Sequence, residues 1–275
     1  LVPYNEKLYA CDLDRLDVDA MGRFFPKACK EDIVLNFKNS DNSSYNAHFT
    51  YPKGGAMEYV SSLLANIDRE KVSLGEEVLQ INIDKKIVVT NKREIAYDRL
   101  VSSLPFPVLL KKCGVDYPAD TFSCNKVLVF NLGFDSKGED KVNNWIYVPD
   151  RDVIFYRVGY YDNILGTDRM SLYVEIGFPE NQNLEKEGLY LERVLDDLRR
   201  LGIVTTQHLV DYEAVLMDPA YVHINKRGND ALALYKAQLA AKDVYSIGRY
   251  GSWTYCSIED NILEAQALAN KISGI

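Results

Sequence analysis

The strand-rich block from Lys126 to about Phe178 constrains the fold more than any other part of the sequence. Its candidate strands are Lys126–Gly133, Trp145–Val148, Val153–Val158 and Met170–Phe178. In the last strand apolar residues alternate with polar or amphipathic ones, Leu172, Val174 and Ile176 against Ser171, Tyr173 and Glu175. Such alternation is typical of an antiparallel sheet with one buried face and one face that can meet a ligand.

Helices and shorter strands are predicted on both sides of this block. Apolar residues recur at helical spacing after Tyr51-Pro-Lys-Gly-Gly55, over Leu191–Leu201 before Gly202, and around Ala231–Leu239. Glu77–Ile83 and Lys86–Thr90 predict a hairpin, a strand follows at Tyr97–Ser103, and another lies around Val210. The pattern predicts an α/β (α+β) fold with an antiparallel sheet and helices.

The end of the chain predicts a strand, a glycine-bearing loop and a helix. Asp243–Gly248 is typical of a strand, Arg249–Tyr255 of a loop, and Ser257-Ile-Glu-Asp260 has the form of a capping box. Free N–H groups and the positive dipole end of such a helix can hold anionic or electron-rich ligand atoms. Many α/β units end in the same way without a ligand, so the pattern alone leaves both interpretations open.

Composition excludes several classes of protein. The formal net charge of −8 and a pI near 5.1 argue against a nucleic-acid binder, which usually carries a basic excess. No apolar run approaches the ~20 residues of a membrane-spanning helix. Tyrosine is in excess, with 19 residues against 10 phenylalanines and 2 tryptophans. This excess suits either a cleft that holds a polar ligand or ordinary amphipathic strands.

Cysteine and histidine usage disfavours metal and triad chemistry. The 5 cysteines are scattered without a C-x-x-C pair, which predicts neither a zinc site nor a disulfide framework and favours a reducing cytoplasm. Only 3 histidines occur, and no G-x-S-x-G motif supports a hydrolase. We expect no metal site.

Several segments, in order along the chain, resemble the UDP-galactopyranose mutases within the wider amine-oxidase and protoporphyrinogen-oxidase-like flavoproteins. The segment Gly248-Arg-Tyr-Gly-Ser-Trp-Thr-Tyr255 is similar to their G-R-[FY]-G-x-W-x-Y signature. The other similar segments are Val2–Lys7, an arginine at Arg23, Tyr51–Gly55, Val78–Ile81 with Tyr97–Pro105, and Trp145–Pro149 with Phe155–Val158.

The resemblance implies an FAD-dependent enzyme that acts on a nucleotide sugar, in polysaccharide biosynthesis. In the mutases, N5 of the reduced flavin attacks the anomeric carbon, UDP leaves, and the sugar recloses as a five-membered ring. No side chain acts as the catalytic residue in this chemistry. Binding instead requires cations and tyrosines around a pyrophosphate, because the guanidinium fork of arginine matches phosphate oxygens.

Matching positions imply two sets of site residues. The substrate set comprises Arg157 for the pyrophosphate, hydroxyl contacts from tyrosines, an aromatic wall, and two further polar residues: Tyr147, Tyr221, Tyr255, Trp145, Asn163 and Arg23. The cofactor set combines glycines that allow close approach with residues around the last helix start: Gly54, Gly55, Val78, Gly248, Arg249, Glu259, Asp260 and Asn261.

Each assignment has a structural alternative. Arg157 can form an ion pair with Glu175 on a neighbouring strand, and Tyr147 and Tyr221 can be half-buried strand residues. Arg23 can be a solvated charge, and Trp253 is expected to pack in the core rather than to contact a ligand.

The resemblance also predicts a division of the chain into four parts. They are a helical part of the substrate domain (1–70), a flavin-domain meander and return strand (71–110), an antiparallel-sheet substrate domain (111–240), and a flavin-domain strand and helix (241–275). The fold class is therefore a substrate domain plus the later part of a discontinuous Rossmann-like FAD/NAD(P)-binding domain.

Departures from the family pattern keep other functions open. No G-x-G-x-x-G occurs in the 275 residues, so we expect a fragment that binds FAD poorly and is inactive alone. Cys256–Asn261 and Gly159–Leu165 differ from the mutases beside the proposed substrate site. The alternatives are an amine oxidase-like or desaturase-like oxidoreductase and a non-catalytic flavin-fold binding module.

Overall fold

The structure is a computed structural model that describes residues 1–18, 20, 34 and 49–274. It forms two compact units, one comprising Leu1–Asp17 with Leu74–Ile275 and the other Val18–Ser73. In the second unit, helix α2 spans Ala56–Leu64 and a 3₁₀ turn spans Arg69–Lys71. The predicted substrate residue Arg23 lies outside the described residues.

The first unit contains a five-stranded antiparallel sheet in the order β6-β7-β8-β5-β9. Its strands are β5 (Asn125–Phe134), β6 (Trp145–Tyr147), β7 (Arg157–Tyr160), β8 (Ser171–Pro179) and β9 (Leu209–Met217). The predicted antiparallel sheet is confirmed. A short helix, α4 (Tyr161–Leu165), follows β7.

One predicted strand, Val153–Val158, is wrong over most of its length. β7 begins only at Arg157, and the preceding residues lie in a loop although Val153, Phe155 and Tyr156 are buried. The carbonyls of Val153 and Phe155 accept hydrogen bonds from Nζ of Lys7. A side chain therefore satisfies these backbone groups, and the apolar alternation that predicted a strand reflects burial alone.

The buried face of the sheet is the predicted one. Leu172, Val174 and Ile176 are fully buried, and they pack with residues of helix α5 (Glu187–Arg200), which ends before Gly202 at a φ of +70°. Glu175 points to the other face and is nevertheless only 7% exposed.

A second core lies around two small sheets. Strands β1 (Val78–Asn82), β2 (Ile87–Thr90) and β3 (Glu94–Ala96) form an antiparallel meander, and β4 (Leu100–Ser102) pairs in parallel with β10 (Val244–Ser246). The helices here are α3 (Phe106–Lys112), α6 (Lys226–Ala240), α7 (Gly248–Gly251) and α8 (Ile258–Ser273). Trp253 is buried in this core, which confirms its packing role.

The predicted single strand Tyr97–Ser103 connects these two sheets rather than forming one strand. The N–H of Tyr97 donates to the carbonyl of Lys86 and closes the meander, whereas the N–H of Leu100 donates to the carbonyl of Asp243. The chain changes partner between the two residues, so only Leu100–Ser102 is a strand.

Helix α1 (Val2–Tyr9) is anchored to the core by its last carbonyls. The carbonyl of Leu8 accepts from Asn125 Nδ2 at 2.6 Å, and that of Tyr9 accepts from His223 Nε2 at 3.0 Å. The carbonyl of Lys7 lies against Gly177 of β8, where a Cβ atom would be 2.2 Å from its oxygen. The C-terminal carbonyls, which lack helical partners, are thus satisfied or enclosed by the core.

Replacing Gly177 by alanine should displace α1 from the sheet. A new methyl group would overlap a backbone oxygen, which yields less readily than the end of a side chain, and we expect a loss of about 2 kcal/mol in the free energy of unfolding. Urea denaturation measures it. Gly188→Ala, at a site with nothing within 4 Å of the new atom, is the control and should be neutral or stabilising. Equal effects of the two substitutions would contradict the close contact.

Burial lowers the pKa of His223, whose ring lies between the Tyr9 carbonyl and the Ser123 hydroxyl. The folded protein therefore binds a proton less well than the unfolded chain, and the free energy of unfolding should fall as pH drops below the ordinary value of 6.5. Urea titrations from about pH 7 to about pH 5 should show a smaller fall in His223→Gln. An identical pH dependence in the two proteins would refute this prediction.

Candidate functional site

Arg157 and Glu175 form the centre of the candidate site. They lie opposite each other on β7 and β8, and Nε of Arg157 donates to Oε1 of Glu175 at 3.0 Å. Nη2 of Arg157 donates to the same oxygen, and the Tyr156 hydroxyl donates to Oε2. The ion pair weighed as an alternative for Arg157 is therefore present. These two donors of the arginine meet one carboxylate oxygen, Oε1, and do not form a bidentate fork on the carboxylate.

Tyrosines surround this pair. The ring of Tyr4, from α1, lies 4.7 Å from that of Tyr147, and Cζ of Arg157 lies 5.7 Å from the ring centre of Tyr173. Tyr221 and Tyr255 stack at 5.8 Å with an interplanar angle of 19°. The structure thus brings Tyr147, Tyr221 and Tyr255 together with Arg157, as the resemblance implied.

The hydroxyls of Tyr221 and Tyr255 are neutral donors at physiological pH. Burial raises the pKa of Tyr221 to about 12, although the positive charges of Arg157 and Arg249 oppose the shift and Glu175 adds to it. Burial likewise raises the pKa of Tyr255, again opposed by Arg249 and Arg157. The charges of both guanidinium groups therefore reach the hydroxyls of the same two tyrosines, and the cluster combines positive charge with hydroxyl donors.

Arg249 is presented by a tight turn. Its Cζ lies 4.7 Å from the ring centre of Tyr255 and 5.3 Å from that of Tyr221, within the range of cation–π contacts. The preceding Gly248 has a φ of +84°, a conformation that favours glycine. The predicted loop Arg249–Tyr255 is therefore partly wrong, because its first residues belong to the helical turn α7 (Gly248–Gly251).

Glu264 of α8 bonds to both ends of this turn, alongside the turn's own bond from the N–H of Ser252 to the carbonyl of Gly248. Its Oε2 accepts the N–H of Gly248 at 2.7 Å, and its Oε1 accepts the hydroxyl of Ser252. One carboxylate thus joins both ends of the segment. The acceptor is distant in sequence, so the local pattern gave no signal for it.

Tyr9 is a site residue that the sequence did not assign. It is 2% exposed, its hydroxyl is buried without a hydrogen-bond partner, and its ring lies 5.9 Å from that of Tyr221. Burial has the largest effect on the pKa of the Tyr9 hydroxyl and raises it, Tyr255 raises it further, and the charge of Arg249 lowers it. An unpaired buried hydroxyl costs about 1–3 kcal/mol, which a bound ligand that accepts its hydrogen bond would recover. The only sequence signal was the tyrosine excess.

Two other predicted substrate residues lie on the same side of the sheet or beside it. Trp145 is half-buried and pairs in register with Gly159, over which the ring of Tyr173 lies. Asn163, in α4, donates to the carbonyls of Asn143 at 2.8 Å and Asp140 at 3.3 Å. Its amide nitrogen therefore holds a loop, while its Oδ1 is buried without a partner.

The predicted cofactor residues fall into separate groups. Asp260 and Asn261 bond to Ser257 at the start of α8. The Asp260 carboxylate accepts the N–H of Ser257 at 2.7 Å, and Nδ2 of Asn261 donates to the carbonyl of Ser257 at 2.8 Å. The predicted capping box is confirmed. Glu259 is exposed in the same turn. Gly54 and Gly55 precede α2 in the second unit, where Gly55 has a φ of +86°.

Val78 lines a groove of about 720 Å³ at the β4 strand. Other lining residues come from the segment before β1, from β2, and from Leu100–Leu104. Over the described residues, no cluster of at least three histidine, cysteine or acidic side chains could hold a metal ion, and no helix is both long and apolar enough to cross a bilayer.

Comparison with known proteins identifies the family. The profile of the flavin containing amine oxidoreductases matches residues 16–272, nearly the whole chain. The chain belongs to this family. The fold is that of a reduced UDP-galactopyranose mutase, with a TM-score of 0.80 at 20% identity over 92% of this chain and 59% of that one. The chain thus spans about three fifths of the length of the mutase.

Two further structures share the fold. A putative protoporphyrinogen oxidase from Exiguobacterium sp. 255-15 gives a TM-score of 0.68 at 15% identity, over 80% of this chain and 51% of that one. A CLA-producing fatty acid isomerase from P. acnes gives 0.57 at 12% identity, over 79% and 52%. The predicted fold class and the predicted flavoprotein superfamily are confirmed.

Replacing Tyr156 by phenylalanine should destabilise the protein. It removes the hydrogen bond to the Glu175 carboxylate without a change in packing, and bonds to charged groups contribute about 2 kcal/mol. Urea denaturation measures the loss. Tyr147→Phe, at a residue 48% exposed, is the matched control and should stay within about 0.5 kcal/mol of the wild type. A loss in the control equal to that in Tyr156→Phe would contradict the role of the bond to Glu175.

Proposed function

We propose that the chain is part of an FAD-dependent enzyme that acts on a nucleotide sugar. The observation that supports this most directly is the cluster of Arg157, Arg249 and the tyrosines around them. Positive charge and hydroxyl donors suit a pyrophosphate linked to a sugar. Arg157 already pairs with Glu175, so a substrate without negative charge would leave the charge of Arg249, stacked on Tyr221 and Tyr255, without an anionic ligand.

The residues that would hold FAD fit a flavin in part. The parallel β4–β10 pair leads into Gly248, and at Gly251 a Cβ atom would lie 2.9 Å from Oγ of Ser246 and 3.2 Å from the carbonyl of Ser102. The surfaces that we assign to the cofactor are the Gly248–Arg249 turn and the groove beside Val78. The pyrophosphate of FAD is usually held by a G-x-G-x-x-G loop, and this motif does not occur in the 275 residues.

The chain's own residues would bind and orient the substrate. Bound reduced FAD would supply the nucleophile for exchange at the sugar's anomeric carbon. Arg157 would contact the departing pyrophosphate through the N–H groups that Glu175 leaves available, and the Tyr9 hydroxyl would donate to a phosphate or sugar oxygen. Tyr221 and Tyr255, whose stacked rings are half-buried, would shield the bond that breaks from water.

Family membership favours one alternative, an amine oxidase-like or desaturase-like oxidoreductase. The two proposals differ in the charge of the substrate. Glu175 offsets the charge of Arg157, so the difference rests on Arg249. Its charge would attract an anionic substrate and repel a cationic one, which favours the nucleotide sugar.

Arg157→Lys should weaken UDP binding by about tenfold or more, because a lysine keeps the charge but loses the fork of donors. Isothermal titration of this chain with UDP measures the dissociation constant, with uridine as the ligand that lacks phosphate. Arg169→Lys, at an exposed arginine on a neighbouring loop, is the control and should bind UDP as the wild type does. Equal affinity in all three proteins would rule out a pyrophosphate contact at Arg157.

The reaction itself is tested on protein expressed from the complete gene, loaded with FAD and reduced with dithionite. Incubation with a panel of UDP-sugars should give a second ring form of one of them, detected by chromatography. Oxygen consumption with amines and no change in any UDP-sugar would favour the oxidoreductase. Protein that stays colourless with excess flavin would leave only a non-catalytic binding module.

A further inference from the structure

Lys7 makes an unusual set of contacts from helix α1. Its Nζ lies within hydrogen-bonding distance of four backbone carbonyls, those of Val148 at 3.0 Å, Asp150 at 2.8 Å, Val153 at 2.8 Å and Phe155 at 2.5 Å. An ammonium group has three protons, so at least one of them is shared between two oxygens. All four acceptors belong to the connection between β6 and β7.

Backbone bonds hold the two ends of this connection: the N–H of Val148 donates to the carbonyl of Tyr156 at 2.8 Å, and the N–H of Tyr156 donates to the carbonyl of Glu175 at 3.0 Å. Between these ends the bonds involve side chains as well as the backbone, including the one from Arg200 Nη2 to the carbonyl of Asp152 at 2.8 Å.

Within the connection, the N–H of Val153 donates to the carbonyl of Asp150 at 3.4 Å, and the N–H of Ile154 donates to the carboxylate of Asp197 at 2.7 Å. The side chains of Val153 and Phe155 are fully buried. Because buried carbonyls need donors, Lys7 does here what a neighbouring strand does elsewhere in the sheet.

The connection leads directly into the candidate site. Phe155, the last residue that Lys7 contacts, precedes Tyr156 and Arg157, and these two hold the carboxylate of Glu175. A shift of the connection would therefore move both donors relative to Glu175 and to the surrounding tyrosines. Displacements of about 1 Å at a binding group are enough to reduce function strongly.

We propose that Lys7 is a positioning residue that sets the place of Tyr156 and Arg157 by holding the carbonyls of the β6–β7 connection. It contacts no reacting atom and acts through Arg157. The proposal rests on the proposed function for the nature of the ligand, a nucleoside diphosphate, and on the contacts of Lys7 for the rest.

A second pair joins α1 to the same connection and provides a matched control. Arg151 forms an ion pair with Glu6, and its side chain is 68% exposed. Exposed ion pairs contribute little to stability, so Arg151→Met should leave the connection in place. Lys7→Met removes the ammonium group while it keeps an unbranched apolar stem.

The test measures three properties of the full chain in the wild type, Lys7→Met and Arg151→Met. They are hydrogen exchange at the amides of Val153, Ile154 and Tyr156, exchange of the Arg157 Nε proton by NMR, and the dissociation constant for UDP. In Lys7→Met we expect exchange to rise at least about tenfold at these positions but not in β5, and UDP binding to weaken at least about tenfold. Arg151→Met should match the wild type.

Exchange in the connection that is unchanged in Lys7→Met would overturn the proposal. So would faster exchange there with wild-type UDP affinity, because Lys7 would then stabilise the connection without positioning the site. If the wild type does not bind UDP, the proposed function is wrong. The exchange rate of the Arg157 Nε proton then tests the role of Lys7 without a ligand. Faster exchange in Lys7→Met than in Arg151→Met would support it.

If Lys7→Met does not fold, Lys7→Arg takes its place. A planar guanidinium spreads its donors over a wider area than an ammonium, so it fits converging carbonyls less well. Faster exchange and weaker UDP binding in this variant would support the proposal, whereas wild-type values of both would overturn it.

Discussion

The buried carboxylate of Glu175 organises the candidate site. It accepts hydrogen bonds from Arg157 on the neighbouring strand and from the Tyr156 hydroxyl, and it is only 7% exposed. Loss of one partner of a buried pair costs about 3–5 kcal/mol, since the other charge stays buried without compensation. The strand register that sets Arg157 opposite Glu175 is therefore under strong constraint.

The elements around this pair each bring one part of the site. Helix α1 supplies Tyr4 and Tyr9, while the turn closed by Glu264 supplies Arg249. Gly177 allows α1 to lie directly on β8, so the helix reaches both the tyrosines and the β6–β7 connection. A site built from distant segments depends on such close contacts more than on any single motif.

The sequence predicted the elements whose periodicity is strong and missed the contacts that join distant segments. Strand β8 was predicted to within one residue at each end, and helix α5 was predicted with a nearly correct C-terminal end but a start four residues too late. The Val153–Val158 segment has the same apolar signal as a strand, yet the carbonyls of Val153 and Phe155 bond to Lys7, which lies 146 and 148 residues away in sequence. No local pattern predicts an acceptor at that separation.

The site residues show the same division. Arg157, Tyr147, Tyr221 and Tyr255 are candidates through the resemblance, and the structure places them near one another. Tyr9 carries no motif of its own and becomes a candidate only through its unpaired hydroxyl. The sequence also left open whether Arg157 pairs with Glu175 or contacts a ligand. The structure allows both, because Oε1 of Glu175 accepts from Nε and Nη2 and the pair remains partly exposed on the arginine side.

A crystal structure of the chain with UDP would test the central claim most directly. We expect density for the pyrophosphate at hydrogen-bonding distance from the Arg157 guanidinium and close to Tyr221 and Tyr255, with the Arg157–Glu175 pair intact. UDP bound elsewhere, or a site in which Arg157 contacts only Glu175 at saturating UDP, would contradict it.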